Sequence, residues 1–289
     1  MKLSQGEKIF SYTNYFILGI FGILALAPFI YVMAQSFSSQ RAIVSGEVIF
    51  WPVEFNVNAY SEVLNDDAFI KAFVVSVGRT VIGTFINVFL TCLLAYPLSK
   101  PYIKGRGIIL FLVVFTMLFS GGMIPTYLTV KSLHLLNSFW AFIIPSAISA
   151  FNVIIMKNFF QSVPYELEES ARIDGCSNLG ILFRIAVPLS MPALATIALF
   201  HAVFHWNSFF DAMLYINDRG LFPLQIYLRE LIQFNQTDIN LMDNMEKQLI
   251  ATESLKAAAL IVSTIPILMV YPFLQRHFVK GIMLGSVKG

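Results

Sequence analysis

Six long stretches of this chain contain no aspartate or glutamate: 15–34, 72–98, 107–128, 138–160, 185–206 and 257–274. A helix needs about 20 mostly apolar residues to cross about 30 Å of hydrocarbon. In lipid, backbone N–H and C=O groups find no water, so only helices or closed barrels span. The strict alternation of a barrel strand is missing here. The expected fold is therefore all-α, a polytopic membrane protein with six transmembrane helices.

Composition excludes the main alternatives. Hydrophobic residues make up 57% of the 289 and charged residues only 12%. An average soluble domain is about 25% charged, so neither a soluble enzyme nor a disordered chain fits. Nineteen Lys+Arg against 17 Asp+Glu leave a net charge of +2, which gives no footprint for nucleic acid. Cys92 and Cys176 lie in unrelated stretches, without the spacing of a disulfide framework or a thiolate metal site.

Val32-Met33-Ala34 resembles a signal-peptide cleavage site. The apolar run before it is longer than the usual 7–15 residues or so, so the expectation is a retained first helix. Basic residues favour the cytoplasmic side. Placing both termini inside gathers the larger share of them there, including Lys100, Lys104 and Arg106 in one short turn. The chain then divides into a cytoplasmic tail 1–14, a first span 15–34 and an outer loop 35–71. A five-span core, 72–274, follows and includes an inner segment 161–184 and an outer loop 207–256. A cytoplasmic tail, 275–289, ends the chain.

No G-x-x-x-x-G-K-[ST] phosphate loop occurs in the sequence, so ATP is not bound in that way. The spans also lack the carboxylates that ion-driven carriers keep near mid-membrane. A pump built on this chain would take its energy from another subunit.

Several residues stand out against the apolar background. His201 and His205 are four apart on one helical face. That spacing can hold zinc, but a catalytic site uses three protein ligands, and no carboxylate or cysteine lies within a turn. Polar contacts between helices, or lining of a cavity, account for the pair more simply. A hydrolase using Ser120 or Ser146 is a further alternative, without a G-x-S-x-G to support it. Arg79 lies about two turns from the outer end of its span. It either snorkels to the surface or faces a translocation path. Trp206, Asn207, Phe209 and Asp211 cluster where the fifth span meets the outer side. They read as interfacial aromatics or as sugar contacts, with rings on C–H faces and Asn and Asp on hydroxyls.

The 161–184 segment is the most informative. Ser162 can cap a helix whose first turn holds Pro164 and Glu166. Glu168 and Arg172 stand at i, i+4 in the favourable order. Gly175 offers a C′ stop and Ser177 a second cap. The expectation is a charged helix–turn–helix standing off the membrane as a docking element.

Within it, Glu169-Ser170-Ala171, Gly175, and Ile185-x-Val187-Pro188 resemble the EAA-x3-G-x9-I-x-L-P motif of ABC importer permeases. Ser170 and Val187 are its two small departures. The stretch 275–281 and the ending 285–289 resemble carbohydrate permeases of the MalG-like family. Residues 119–127 and 215–219 resemble its LplC/YtcP-type branch. The resemblance implies a MetI-like core and uptake of a sugar or oligosaccharide, with no catalysis and no cofactor on this chain. ATP and Mg would sit on two cytosolic ATPase subunits. A second homologous permease and an external sugar-binding protein would complete the assembly in a bacterial cell membrane. Glu168, Glu169, Ala171, Asp174 and Gly175 would form the coupling element, and Glu169 would pair with a base on the ATPase. Gly285, Ser286, Val287 and Lys288 would lie against the ATPases. The 207–256 loop would reach the binding protein. The substrate path would take Arg79, His201, His205, Trp206, Asn207, Phe209 and Asp211.

Overall fold

A computed structural model describes residues 4–237 and 253–286, with side chains for 4–233 and 253–270. Gly285, Ser286, Val287, Lys288 and the whole loop segment 234–252 therefore fall outside the described side chains. Among the described residues there are helices and turns and no strand. The chain forms two compact units, Met1–Ile70 with Leu228–Ile265, and Lys71–Tyr227 with Pro266–Gly289.

In the first unit, α1 (Gln5–Ser36) starts at a capping box. Ser4 accepts from the Glu7 amide, and Glu7 accepts from the Ser4 amide at 2.7 Å. Its most apolar 18 residues have a mean hydropathy of 2.4, and none of that window is buried within the chain. A helix apolar on all sides and uncovered by protein is suited to lipid. Two short helices follow, α2 (Gln40–Val44) and α3 (Asn58–Asn65). They are held by a stack of Phe37 on Phe55 at 5.4 Å and by a Ser36–Tyr60 hydroxyl bond of 2.7 Å.

The long α4 (Asp67–Ser99) extends about 50 Å at about 1.5 Å per residue. It is followed by α5 (Arg106–Leu118), α6 (Met123–Ser132), α7 (Ala150–Gln161), α8 (Tyr165–Ile173), α9 (Asn178–Ile181), α10 (Val187–Leu189) and α11 (Met191–Asn207). The remaining helices are α12 (Phe210–Tyr215), α13 (Leu224–Thr237) and α14 (Glu253–Ser286). Gly285 and Ser286 are the last residues of α14.

Among the described residues, three helices are long and apolar enough to cross a membrane unbroken: α1, α4 and Glu253–Val270 of α14. The stretches expected as spans three, four and five each contain a break. Residues 106–132 turn by 117° between α5 and α6. There Ser120-Gly121-Gly122 interrupts the helix, with Gly122 at φ +87°, a conformation that glycine adopts without steric cost. Residues 139–161 bend by 57° where short 3₁₀ turns give way to α7, which Ser149 caps. Residues 178–207 bend by 88° at Ser190, between Pro188 and Pro192 and after a π turn at Leu182–Ala186. Broken helices at membrane depth leave backbone groups to be satisfied by neighbouring protein or a cavity.

The core of the second unit sits near the expected inner end. Cys92, Ala95, Tyr96 and Leu98 of α4 pack with Val153, Met156 and Phe160 of α7 and with Ile181, Leu182 and Ala186. This cluster fixes the cytoplasmic segment against two spans.

Candidate functional site

The expected outer end is organised by Arg79. Its side chain is fully enclosed and does not snorkel; the surface reading is corrected by its partners. One nitrogen reaches Asp211 Oδ2 at 2.5 Å, and the other donates to the Ser208 carbonyl at 3.1 Å. The guanidinium also lies 4.4 Å over the Phe142 ring. A buried arginine is tolerable only with such compensation, and removing one partner of a buried pair costs about 3–5 kcal/mol. The pair joins α4 to the start of α12.

Beside it is a cavity of about 570 Å³ lined by Phe142, Ser146, Phe204, Asn207, Phe209 and Asp211, among others. A second cavity, about 460 Å³, is lined by Ser146, Ser149, Phe151, Asn152, Phe200, His201 and Phe204. The two share Ser146 and Phe204. Together they make a track of aromatic faces, hydroxyls and amides leading from Asp211 to His201.

His201 and His205 belong to one buried network. The Asn87 amide is 3.1 Å from His201 Nδ1 and 3.1 Å from His205 Nε2, and donates to the Ser146 carbonyl. The Asn152 amide is 3.0 Å from His201 Nε2. A neutral imidazole offers one donor and one acceptor, so one asparagine presents nitrogen to His201 and the other presents oxygen. Gly83 makes this seat possible: a Cβ there would stand 2.5 Å from His205 Nε2.

Of the residues expected on a substrate path, His201, Asn207, Phe209 and Asp211 line these cavities. Arg79 and His205 are sealed behind them as supports. Trp206 belongs elsewhere: it packs edge-on to Phe73 at 6.1 Å and lines a separate apolar cavity with Val77 and Val81. Sequence reasoning missed Asn87, Asn152 and Gly83, and took up Ser146 only as a hydrolase nucleophile rather than as a cavity residue. An asparagine inside an apolar span is itself a signal, because a polar group in a membrane helix needs a partner.

The expected inner end carries the helix–turn–helix. Gly175 has φ +82° and closes α8 in a Schellman motif. Its amide reaches the Arg172 carbonyl at 3.0 Å, and the Cys176 amide reaches that of Ala171 at 2.8 Å. The Ser177 hydroxyl caps α9 at the Gly180 amide. Two local expectations change. Ser162 closes α7 by donating to the Phe159 carbonyl, and Pro164 precedes α8 without a side-chain cap. Glu168 does not pair with Arg172. It is fully buried and pairs with Lys100, while Arg172 bonds the Tyr102 hydroxyl. That hydrogen bond is the chief reason the guanidinium is held above its ordinary pKa. Glu169 and Asp174 are exposed, as a docking face requires.

Fold and site together define a multi-pass helical membrane protein. It has a polar track among broken helices and a capped helix–turn–helix facing out from its spans. Residues 68–284 match the family described as binding-protein-dependent transport system inner membrane component, and the chain belongs to that family. It is 47% identical to the protein LplC of Bacillus subtilis, covering 100% of this chain and 98% of LplC. It is 49% identical to the polygalacturonan/rhamnogalacturonan transport system permease protein YtcP of the same organism, covering 98% and 99%. Among solved structures, it resembles a chain of a bacterial ABC transporter for import of the acidic polysaccharide alginate. There the TM-score is 0.88 at 37% identity, covering 96% of this chain and 99% of that one. The chain is thus an inner-membrane permease subunit, the non-catalytic part of a binding-protein-dependent ABC importer.

Proposed function

We propose that this chain forms half of the path by which an oligosaccharide enters the cell. The other half is a second homologous permease. Two cytosolic ATPase subunits carry ATP and Mg, and an external binding protein delivers the sugar. The observation that carries the reading is the track from Asp211 to His201. Pyranose rings present apolar C–H faces to Phe204, Phe200 and Phe209, and hydroxyls to Ser146, Ser149, Asn152 and Asn207. These contacts are numerous and individually weak, which suits passage better than tight retention. The names of YtcP and of the alginate transporter support a saccharide cargo.

In this reading the exposed Glu169 and Asp174 meet the ATPase, and the Gly175 turn sets the angle of α8 against it. Gly285, Ser286, Val287 and Lys288 add a contact at the chain's end. The 207–256 loop meets the binding protein, and its residues 238–252 lie outside the described part. The test is to co-express the chain with a partner permease and an ATPase from its own genome and purify it through a tag on this chain. A complex containing one of each permease and two ATPases is expected. Recovery of this chain as a stable homodimer without ATPase would overturn the assembly.

A further inference from the structure

Glu168 holds the one fully buried carboxylate among the described residues. It sits in the first turn of α8, where the local sequence suggests a solvated face. Its partner, Lys100, directly follows α4 and is 6% exposed. The ammonium lies 4.7 Å over the Tyr96 ring, and Tyr96 packs edge-on against Phe160 at 5.8 Å. One turn further along α8, Arg172 bonds the Tyr102 hydroxyl and lies 5.1 Å over its ring. Both charged residues on this face of α8 are therefore held by the 96–102 segment. Arg106, in the same inner turn as Lys100, ties back to the Leu98 carbonyl at 2.8 Å.

We infer that Lys100 and Glu168 are positioning residues that lock α8 to the inner end of α4, making α4 the rod that carries ATPase movement to the outer mouth. The argument has three parts. First, an enclosed ion pair resists sliding, because separating its charges leaves each one desolvated and unpaired. Second, α4 runs as one helix from Asp67 to Ser99, with its one proline, Pro97, confined to the last turn beside Lys100, whereas the spans that follow it up to α11 are broken by bends of 57° or more. A displacement at its inner end is thus carried along an unbroken helix. Third, the same helix holds the outer mouth through a second ion pair, the buried Arg79 with the partly exposed Asp211. Arg79 and Ser99 are about 20 residues apart, or about 30 Å along the axis. One rigid element therefore has an ion-paired joint to α8 at one end and to α12 near the other.

The inference rests on the proposed docking of α8 to an ATPase, so the test has two arms. In the first, the chain alone is placed in nanodiscs and amide hydrogen exchange is followed. Glu168→Gln and Lys100→Met should each speed exchange in α8 at least tenfold while α7 is unchanged. Unaltered exchange in α8 would overturn the lock, whatever the partners are. In the second arm, the assembled complex is compared at equal ATPase content. The ratio of hydrolysis with loaded binding protein to hydrolysis without it should fall at least tenfold in each single variant. The exchanged pair, Lys100→Glu with Glu168→Lys, should restore much of that ratio. A role in stability alone would lower the amount of complex but leave the ratio per complex intact, and that result would overturn the transmission role.

Discussion

Replacing Gly83 by alanine adds one methyl group in the middle of α4. In an exposed helix interior this change stabilises by about 1 kcal/mol. Here the new Cβ would stand 2.5 Å from His205 Nε2 and 2.8 Å from both neighbouring ring carbons. The ring cannot swing clear without loss. His205 is fully buried, and its Nε2 lies 3.1 Å from the Asn87 amide. Overpacking of this kind costs about 1–3 kcal/mol, and a lost buried hydrogen bond adds about 1 kcal/mol. The net expectation for Gly83→Ala is a destabilisation of roughly 1–3 kcal/mol after the helix-propensity gain. Gly78→Ala supplies the control, because its Cβ would meet only the Phe139 ring at 3.8 Å, an ordinary contact. The assay is thermal unfolding of the purified chain in nanodiscs, with uptake measured in the assembled complex. Gly83→Ala should lower the midpoint, Gly78→Ala should not, and adding His205→Ala to Gly83→Ala should recover most of the loss. Equal midpoints for Gly83→Ala and Gly78→Ala would refute the account of the α4–α11 seat.

Asp211→Asn leaves the Arg79 guanidinium enclosed without its charge partner, and thermal unfolding should show a loss of about 1.5–3 kcal/mol, because Asp211 is itself partly exposed. Gly175→Val forces a β-branched residue into φ +82°. It should leave span folding intact by circular dichroism while co-purification of the ATPase falls. Glu169→Lys changes an exposed residue. The chain's own stability should stay within about 0.5 kcal/mol, while titration with the ATPase should show affinity reduced about ten- to a hundredfold. Asn152→Ala removes a polar group from the track, and its effect should be read as a change in the substrate dependence of uptake.

The legible parts of this protein are those written locally. Acid-free apolar runs mark the spans, and the Gly175 turn and Ser177 cap are set by neighbours a few residues away. The breaks were less visible. Gly121-Gly122, Pro188 and Pro192 read equally well as a kink or as a turn of up to 117°, and only packing decides between them. The partners of buried charges were not visible at all. Glu168 has an apt neighbour in Arg172 four residues on, yet it folds onto Lys100, which is 68 residues distant. Lys100 itself reads as one of three positive charges in a short inner turn. Arg79 likewise finds Asp211 across 132 residues. Of the polar track, His201, Asn207, Phe209 and Asp211 were indicated by sequence. Asn152 comes to light only where broken helices bring it beside α11, and Ser146, read in the sequence as a hydrolase candidate, gains its place there in the same way.

The central claim is that this chain is a passive half-path driven by other subunits. Uptake of a labelled oligosaccharide into proteoliposomes tests it most directly, with the binding protein on the substrate side and ATP on the ATPase side. The complete assembly should accumulate sugar only when ATP, the ATPase, the partner permease and the loaded binding protein are all present. Omitting any one should bring uptake to the level of empty vesicles. Sustained ATP-driven accumulation by this chain alone, or accumulation driven by an ion gradient without ATP, would contradict the account.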